Sequence, residues 1–79
     1  MSVHDRIDAE ICRAEERYGQ FRSSHEGFGV LAEEVSELLD AIRANDHRWI
    51  QREAIQVSAV AARIAESMDN PSTVERNTP

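Results

Sequence analysis

Lysine is missing from this chain of 79 residues: all nine basic residues are arginine, which genome composition explains as readily as function. Cysteine occurs once, at Cys12, so no disulfide can form within the chain. A reducing cytoplasm fits that usage, and Cys12 reads as a small residue on the core side of a helix. Glycine and proline number three and two, too few for a chain built on turns. No apolar run approaches the roughly 20 residues of a membrane span. No charged-then-apolar signal segment opens the chain. Positive charge is in deficit, with a net charge of -6. That balance argues against binding the phosphate backbone of DNA or RNA. The length allows one small domain, for which a lone core is marginal and self-association a common remedy.

What remains is rich in Ala, Glu, Leu, Ile and Arg, a composition that favours helix throughout. Val3, Ile7, Ile11, Ala14 and Tyr18 recur at spacings of four and three and predict a first helix from Val3 to Arg17, stopped by Gly19. "YGQFRSS" then reads as a loop whose aromatics, Tyr18 and Phe21, pack back on the core. A second helix starts at Ser23 or Ser24, where Ser23 and Glu26 have the form of a capping box. Its apolar stripe is Phe28, Leu31, Val35, Leu38 and Ile42, widened by Leu39. Gly27 and Gly29 cost helix propensity, so either a neighbour approaches the backbone there or the first turn frays. "ANDH" is a tight turn with Asp46 as N-cap. A third helix runs from His47 to Met68, with Trp49, Glu53, Val57, Val60 and Ile64 on one face. The expected architecture is all-α: three antiparallel helices in an oligomeric bundle. One domain would cover residues 1–69, with a flexible polar tail over 70–79.

The carboxylates of the second and third helices need an explanation. Glu34 and Glu37 form an i,i+3 pair beside the apolar arc, where like charges repel unless neutralised. Glu33 and Asp40 lie further round, toward water. Glu53 falls near the middle of the apolar arc of the third helix, where an ionised carboxylate is costly unless paired or bound to metal. Three arrangements satisfy it: an arginine from among Arg17, Arg43 and Arg52, a reach to solvent at the helix end, or a hard divalent cation. Mg²⁺ is commonly held by a few carboxylates, waters and substrate phosphates.

"HEGFGVLAEEVSELLDAI", followed after a short gap by "REAIQVSAVAARIAE", resembles the MazG-like all-α nucleoside triphosphate pyrophosphohydrolases, in particular the small MazG-like proteins of phages and prophages. That family carries E-E-x-x-E on one helix and E-x-x-D on the next. Here the first motif is complete in Glu33, Glu34 and Glu37. The second is Glu53-Ala54-Ile55-Gln56, with glutamine where the family has aspartate. The resemblance spans residues 17 to 67. It implies a homodimer or dimer of dimers, and Mg²⁺, or Mn²⁺, as cofactor. It implies hydrolysis of a nucleoside triphosphate to the monophosphate and pyrophosphate. Carried over, Glu34, Glu37 and Glu53 are metal ligands with Gln56 as a fourth, neutral candidate. Glu33 and Glu34 carry the catalytic role, Glu33 from the outer shell or by orienting water. The alternative is a non-catalytic helical oligomerisation or interaction module that keeps this scaffold.

Other residues have two readings each. His25 is a candidate for a phosphate contact, or simply starts a helix. Trp49, at i-4 from Glu53, would stack on a base or pack in the core or dimer interface. Arg17 and Arg22 flank the loop and would neutralise a triphosphate, or are solvated surface arginines. His4 and His47 read as solvated.

Overall fold

The computed structural model describes residues 1–69; the expected tail over 70–79 lies outside the described residues. Three helices follow one another: α1 (Val3–Tyr18), α2 (Ser24–Ala44) and α3 (His47–Ser67). No strand occurs among the described residues, so the chain is all-helical as its composition predicts.

Each boundary has a local cause. Ser2 caps α1: its hydroxyl accepts from the Asp5 N–H at 3.1 Å, and the Asp5 carboxylate accepts from the Ser2 N–H at 3.2 Å. This reciprocal capping box was not among the sequence expectations. Gly19 ends α1 at φ 72° and donates its N–H to the Glu15 carbonyl, a backbone region that glycine enters without penalty. Ser23 caps α2 as expected, accepting from the Glu26 N–H. The box there is displaced by one residue, because the Glu26 carboxylate accepts from the Arg22 N–H at 2.7 Å. Asn45 takes the left-handed conformation after α2, at φ 54°. Asp46 caps α3 through the Trp49 N–H at 3.1 Å.

α3 is the central element and packs on both others, while α1 and α2 do not pack on one another. The direction of each pairing follows from its cross-links. Arg6 Nη1 donates to Gln51 Oε1 at 2.9 Å near the start of α1, and Arg63 ion-pairs Glu15 at 3.6 Å near its end. Residue numbers rise together, so α1 and α3 are parallel. α2 runs antiparallel to α3, with Gly27 against Ile64 and Glu34 beside Glu53. The expected antiparallel order therefore holds, each helix reversing the direction of the one before it, although α1 packs on α3 and not on α2. α1 packs on α3 and stops short of α2, leaving a gap that both helices line.

The core is small-sided: Ala14, Phe21, Ala41, Ile55, Ala59 and Val60 are its buried apolar residues. Gly27 is where α2 comes closest to α3, since a Cβ there would lie 2.6 Å from Ile64 Cγ1. Gly29 meets nothing within 4 Å. α2 buries only the inner edge of the stripe its sequence suggests, where Leu31 and Leu38 are half-buried. At about 100° per residue, Gly27, Glu34 and Ala41 share one line along the helix, and that line faces α3. Phe28, Val35, Leu39 and Ile42 are 65%, 47%, 44% and 52% exposed. The outer part of the α2 stripe is thus a second apolar flank, turned away from the intrachain core. Two further expectations fail at the residue level: Cys12 is exposed and not core-side, and Tyr18 is 67% exposed while Phe21 alone packs inward.

Candidate metal centre and the cleft beside it

α2 and α3 bring three carboxylates together. Ligand oxygens of Glu34, Glu37 and Glu53 lie within 4.8 Å of one another. Glu34 reaches this position because it shares the α3-facing line of α2 with Gly27 and Ala41. Glu37, one turn on, is exposed at the rim. Glu53 comes up from α3 and is only 8% exposed.

The electrostatics are unfavourable without a partner. Glu34 Oε2 is buried and has no hydrogen-bond partner. Burial, and then the adjacent charges of Glu37 and Glu53, push the Glu34 carboxyl up to about 7. Its carboxyl sits close enough to both neighbours for a shared proton. One arginine approaches: Arg52 Nε is 3.8 Å from Glu53 Oε2. The Arg52 side chain is 65% exposed, so water screens this pair and its contribution is small. The sequence alternatives for Glu53 therefore resolve into both a weak Arg52 contact and a place in an acidic triad.

The donor set suits a hard cation. All three groups offer carboxylate oxygens, the ligands Mg²⁺ prefers, at about 2.1 Å from the ion. Two oxygens on one Mg²⁺ are at most about 4.2 Å apart, so small rotamer changes would bring this triad into a common shell. The orphaned Glu34 oxygen is the observation that fits: a buried lone pair normally has a partner.

Beside the triad, in the gap between α1 and α2, lies a cleft of about 480 Å³. This is within the size range of small-molecule sites, roughly 300–1,000 Å³. Ala59 and Val60 of α3 are part of its lining, with Phe21 from the loop and Glu34 from α2. Glu10 and Arg13 come from α1, Arg22 from the loop, and Gln56 and Arg63 from α3. Arg63 is 6% exposed, stacks 4.2 Å from the Phe21 ring centroid and donates Nη2 to the Gly19 carbonyl at 3.1 Å. Its Nε–Glu15 distance of 3.6 Å is too long for a hydrogen bond, leaving an ion pair that ties α1 to α3, while the Gly19 contact holds the loop.

The remaining sequence candidates separate clearly. Glu33 is exposed and outside the triad. Gln56 lines the cleft beside Glu10, on the α1 side. Arg22 lines the cleft, whereas Arg17 is exposed and lies over the Tyr18 ring at 5.5 Å. Trp49 is half-buried and His25 exposed; neither lines the cleft. Glu10, Arg13 and Arg63 escaped the sequence reading. For Arg63 the signal existed: Gln56, Val60, Arg63 and Ser67 recur at four, three and four on α3. For Glu10 and Arg13 only the placement of α1 reveals the role. Compared with known proteins, the chain matches no family model, no curated protein and no solved structure.

Proposed function

We propose that the chain is a Mg²⁺-dependent nucleoside triphosphate pyrophosphohydrolase of the MazG-like kind, releasing the nucleoside monophosphate and pyrophosphate. The observation that carries this reading is the convergence of Glu34, Glu37 and Glu53 within 4.8 Å, with a buried unpartnered oxygen on Glu34. Glu34, Glu37 and Glu53 hold the cation, and Glu33 orients water from outside the triad. When bound, Mg²⁺ polarises the phosphate and lowers the pKa of its water. The adjoining cleft receives the nucleotide, and its arginines offset the repulsion between an acidic protein and a polyphosphate. The substrate is a free nucleotide in this reading, neither a DNA nor an RNA polymer, and the setting is cytoplasmic.

The assembly proposed is a homodimer, or a dimer of dimers, formed through the uncovered flank of α2. Four large apolar side chains there are each more than two-fifths exposed, and a twofold pairing would bury both copies of the stripe at once. The same flank favours a second reading, in which the chain is an oligomerisation module without catalysis.

A pyrophosphate-release screen over the common nucleoside triphosphates, with Mg²⁺ and with chelator, separates the two. The enzyme reading expects Mg²⁺-dependent release that Glu53→Gln abolishes. No release from any triphosphate, from a protein whose melting temperature ignores Mg²⁺, leaves the module.

A further inference from the structure

Three carboxylates and three guanidinium groups line the cleft: Glu10, Glu26 and Glu34 against Arg13, Arg22 and Arg63. Arg63 is committed to Phe21, Gly19 and Glu15. Arg13 is placed differently. Its side chain is 57% exposed on α1, and it grips one carboxylate with two prongs. Nε donates to Glu10 Oε2 at 3.2 Å and Nη2 donates to Oε1. The Gln56 side chain, from a different helix, lies beside the same carboxylate and lines the same cleft. A guanidinium fork and an amide therefore converge on a pair of anionic oxygens inside the cleft. Such a fork matches phosphate as well as carboxylate. Glu10 is also a weak occupant, since its i,i+3 partner Arg13 is largely exposed and water screens the pair. A polyphosphate carrying several charges would outcompete it.

We propose that Arg13 and Gln56 form an anion subsite for the polyphosphate of the ligand, and that Glu10 fills this subsite in the empty protein. The proposal rests on the reading of Glu34, Glu37 and Glu53 as a cation centre: Glu34 lines the same cleft, so a polyphosphate would have the cation at one end and Arg13 at the other. It also gives Gln56 a use that an aspartate would not serve. An amide can donate to phosphate, whereas a carboxylate would repel it and would repel Glu10.

The test titrates the full-length chain with inorganic pyrophosphate by calorimetry, in Mg²⁺ and in chelator, with Mg²⁺ affinity measured separately. Glu10→Gln should tighten pyrophosphate binding about three- to tenfold, and Arg13→Ala should weaken it about tenfold or more, from the loss of a charge-assisted fork. In the double variant the gain from Glu10→Gln should vanish, because that gain acts through Arg13. Mg²⁺ affinity without pyrophosphate should not move in any of the three. Arg13 is exposed and Glu10→Gln keeps the shape of a half-buried side chain, so the variants should fold, as circular dichroism would verify. Unchanged pyrophosphate affinity in Arg13→Ala overturns the subsite while leaving the cation centre standing. A Glu10→Gln gain that persists without Arg13 also overturns it, as a general charge effect. A parent protein that fails to bind Mg²⁺ refutes the cation centre instead, and the titrations in chelator then decide the subsite alone.

Discussion

Glu34 carries the clearest consequence at the scale of single residues. Its carboxyl is raised to about 7 in the metal-free protein, above its value in the unfolded chain. The folded form therefore binds the proton more tightly. Its stabilising effect is complete below about pH 4.5, the unfolded value, and is lost as pH rises through 7. In chelator, melting temperature should fall across pH 4.5 to 7.5 by an amount reflecting about 1–2 kcal/mol, allowing for solvent screening at a half-buried group. Glu34→Gln should flatten that slope and melt above the parent at pH 7.5. Mg²⁺ should remove the slope in the parent by displacing the proton. Thermal scans of both proteins at four pH values would check this, and parallel curves would refute it. The glycines of α2 give an opposed pair. Gly27→Ala would push a Cβ to 2.6 Å from Ile64, at a cost of about 1–3 kcal/mol that outweighs the roughly 1 kcal/mol gained in helix propensity. Gly29→Ala, with open space around it, should stabilise by about 0.5–1 kcal/mol. Urea denaturation of the two variants should move the midpoint in opposite directions.

At the scale of elements, α2 presents two faces that its sequence does not distinguish. The line Gly27, Glu34, Ala41 looks poor as a core face, yet it is the one buried, because small residues let two helices approach closely. The larger stripe is left for another surface. Hydrophobic periodicity locates an amphipathic helix but not which of two neighbours it serves, so the pattern of α2 gives its ends and the half-buried Leu31 and Leu38 but not the rotation that buries Gly27 and Ala41. Caps are local chemistry, which is why Ser23, Gly19 and Asp46 were legible from the chain alone. The acidic triad was legible for the same reason: Glu34 and Glu37 are one turn apart, and Glu53 interrupts an otherwise apolar face. The cleft was not, since it depends on α1 packing on α3 and not on α2, and no pattern within α1 states which helix it will join. If the outer flank of α2 is a self-association surface, Leu39→Glu should shift sedimentation toward the monomer by at least tenfold in dissociation constant, from burying an unpaired charge. The cation response of the triad should be retained.

For the molecule as a whole, cation binding and stability should be linked. A ligand that binds only the folded form adds about 2.7 kcal/mol at a hundredfold excess over its dissociation constant. The parent protein should therefore melt higher in Mg²⁺ than in chelator, and Glu53→Gln should melt at the same temperature in both. Gln56→Asp, the change toward the family motif, tests the placement of that side chain. If Gln56 were a fourth ligand, the substitution would strengthen the Mg²⁺ response. With Gln56 lining the cleft beside Glu10, it should leave that response unchanged and lower the melting temperature by setting two carboxylates together.

α1 rests on α3 alone, whereas α3 is held on two sides. Cooperative structure is then unevenly shared. The α2–α3 hairpin keeps its Gly27–Ile64 contact and its acidic triad if α1 lifts away, but α1 keeps nothing of its own. A helix of 16 residues is marginal in water once detached. Its amides should therefore trade their hydrogens for deuterium through openings that leave the amides of α3 protected. The wall of the cleft that carries Glu10 and Arg13 would be the first part of the protein to come undone, and a polyphosphate bound there should slow its exchange more than that of any other helix.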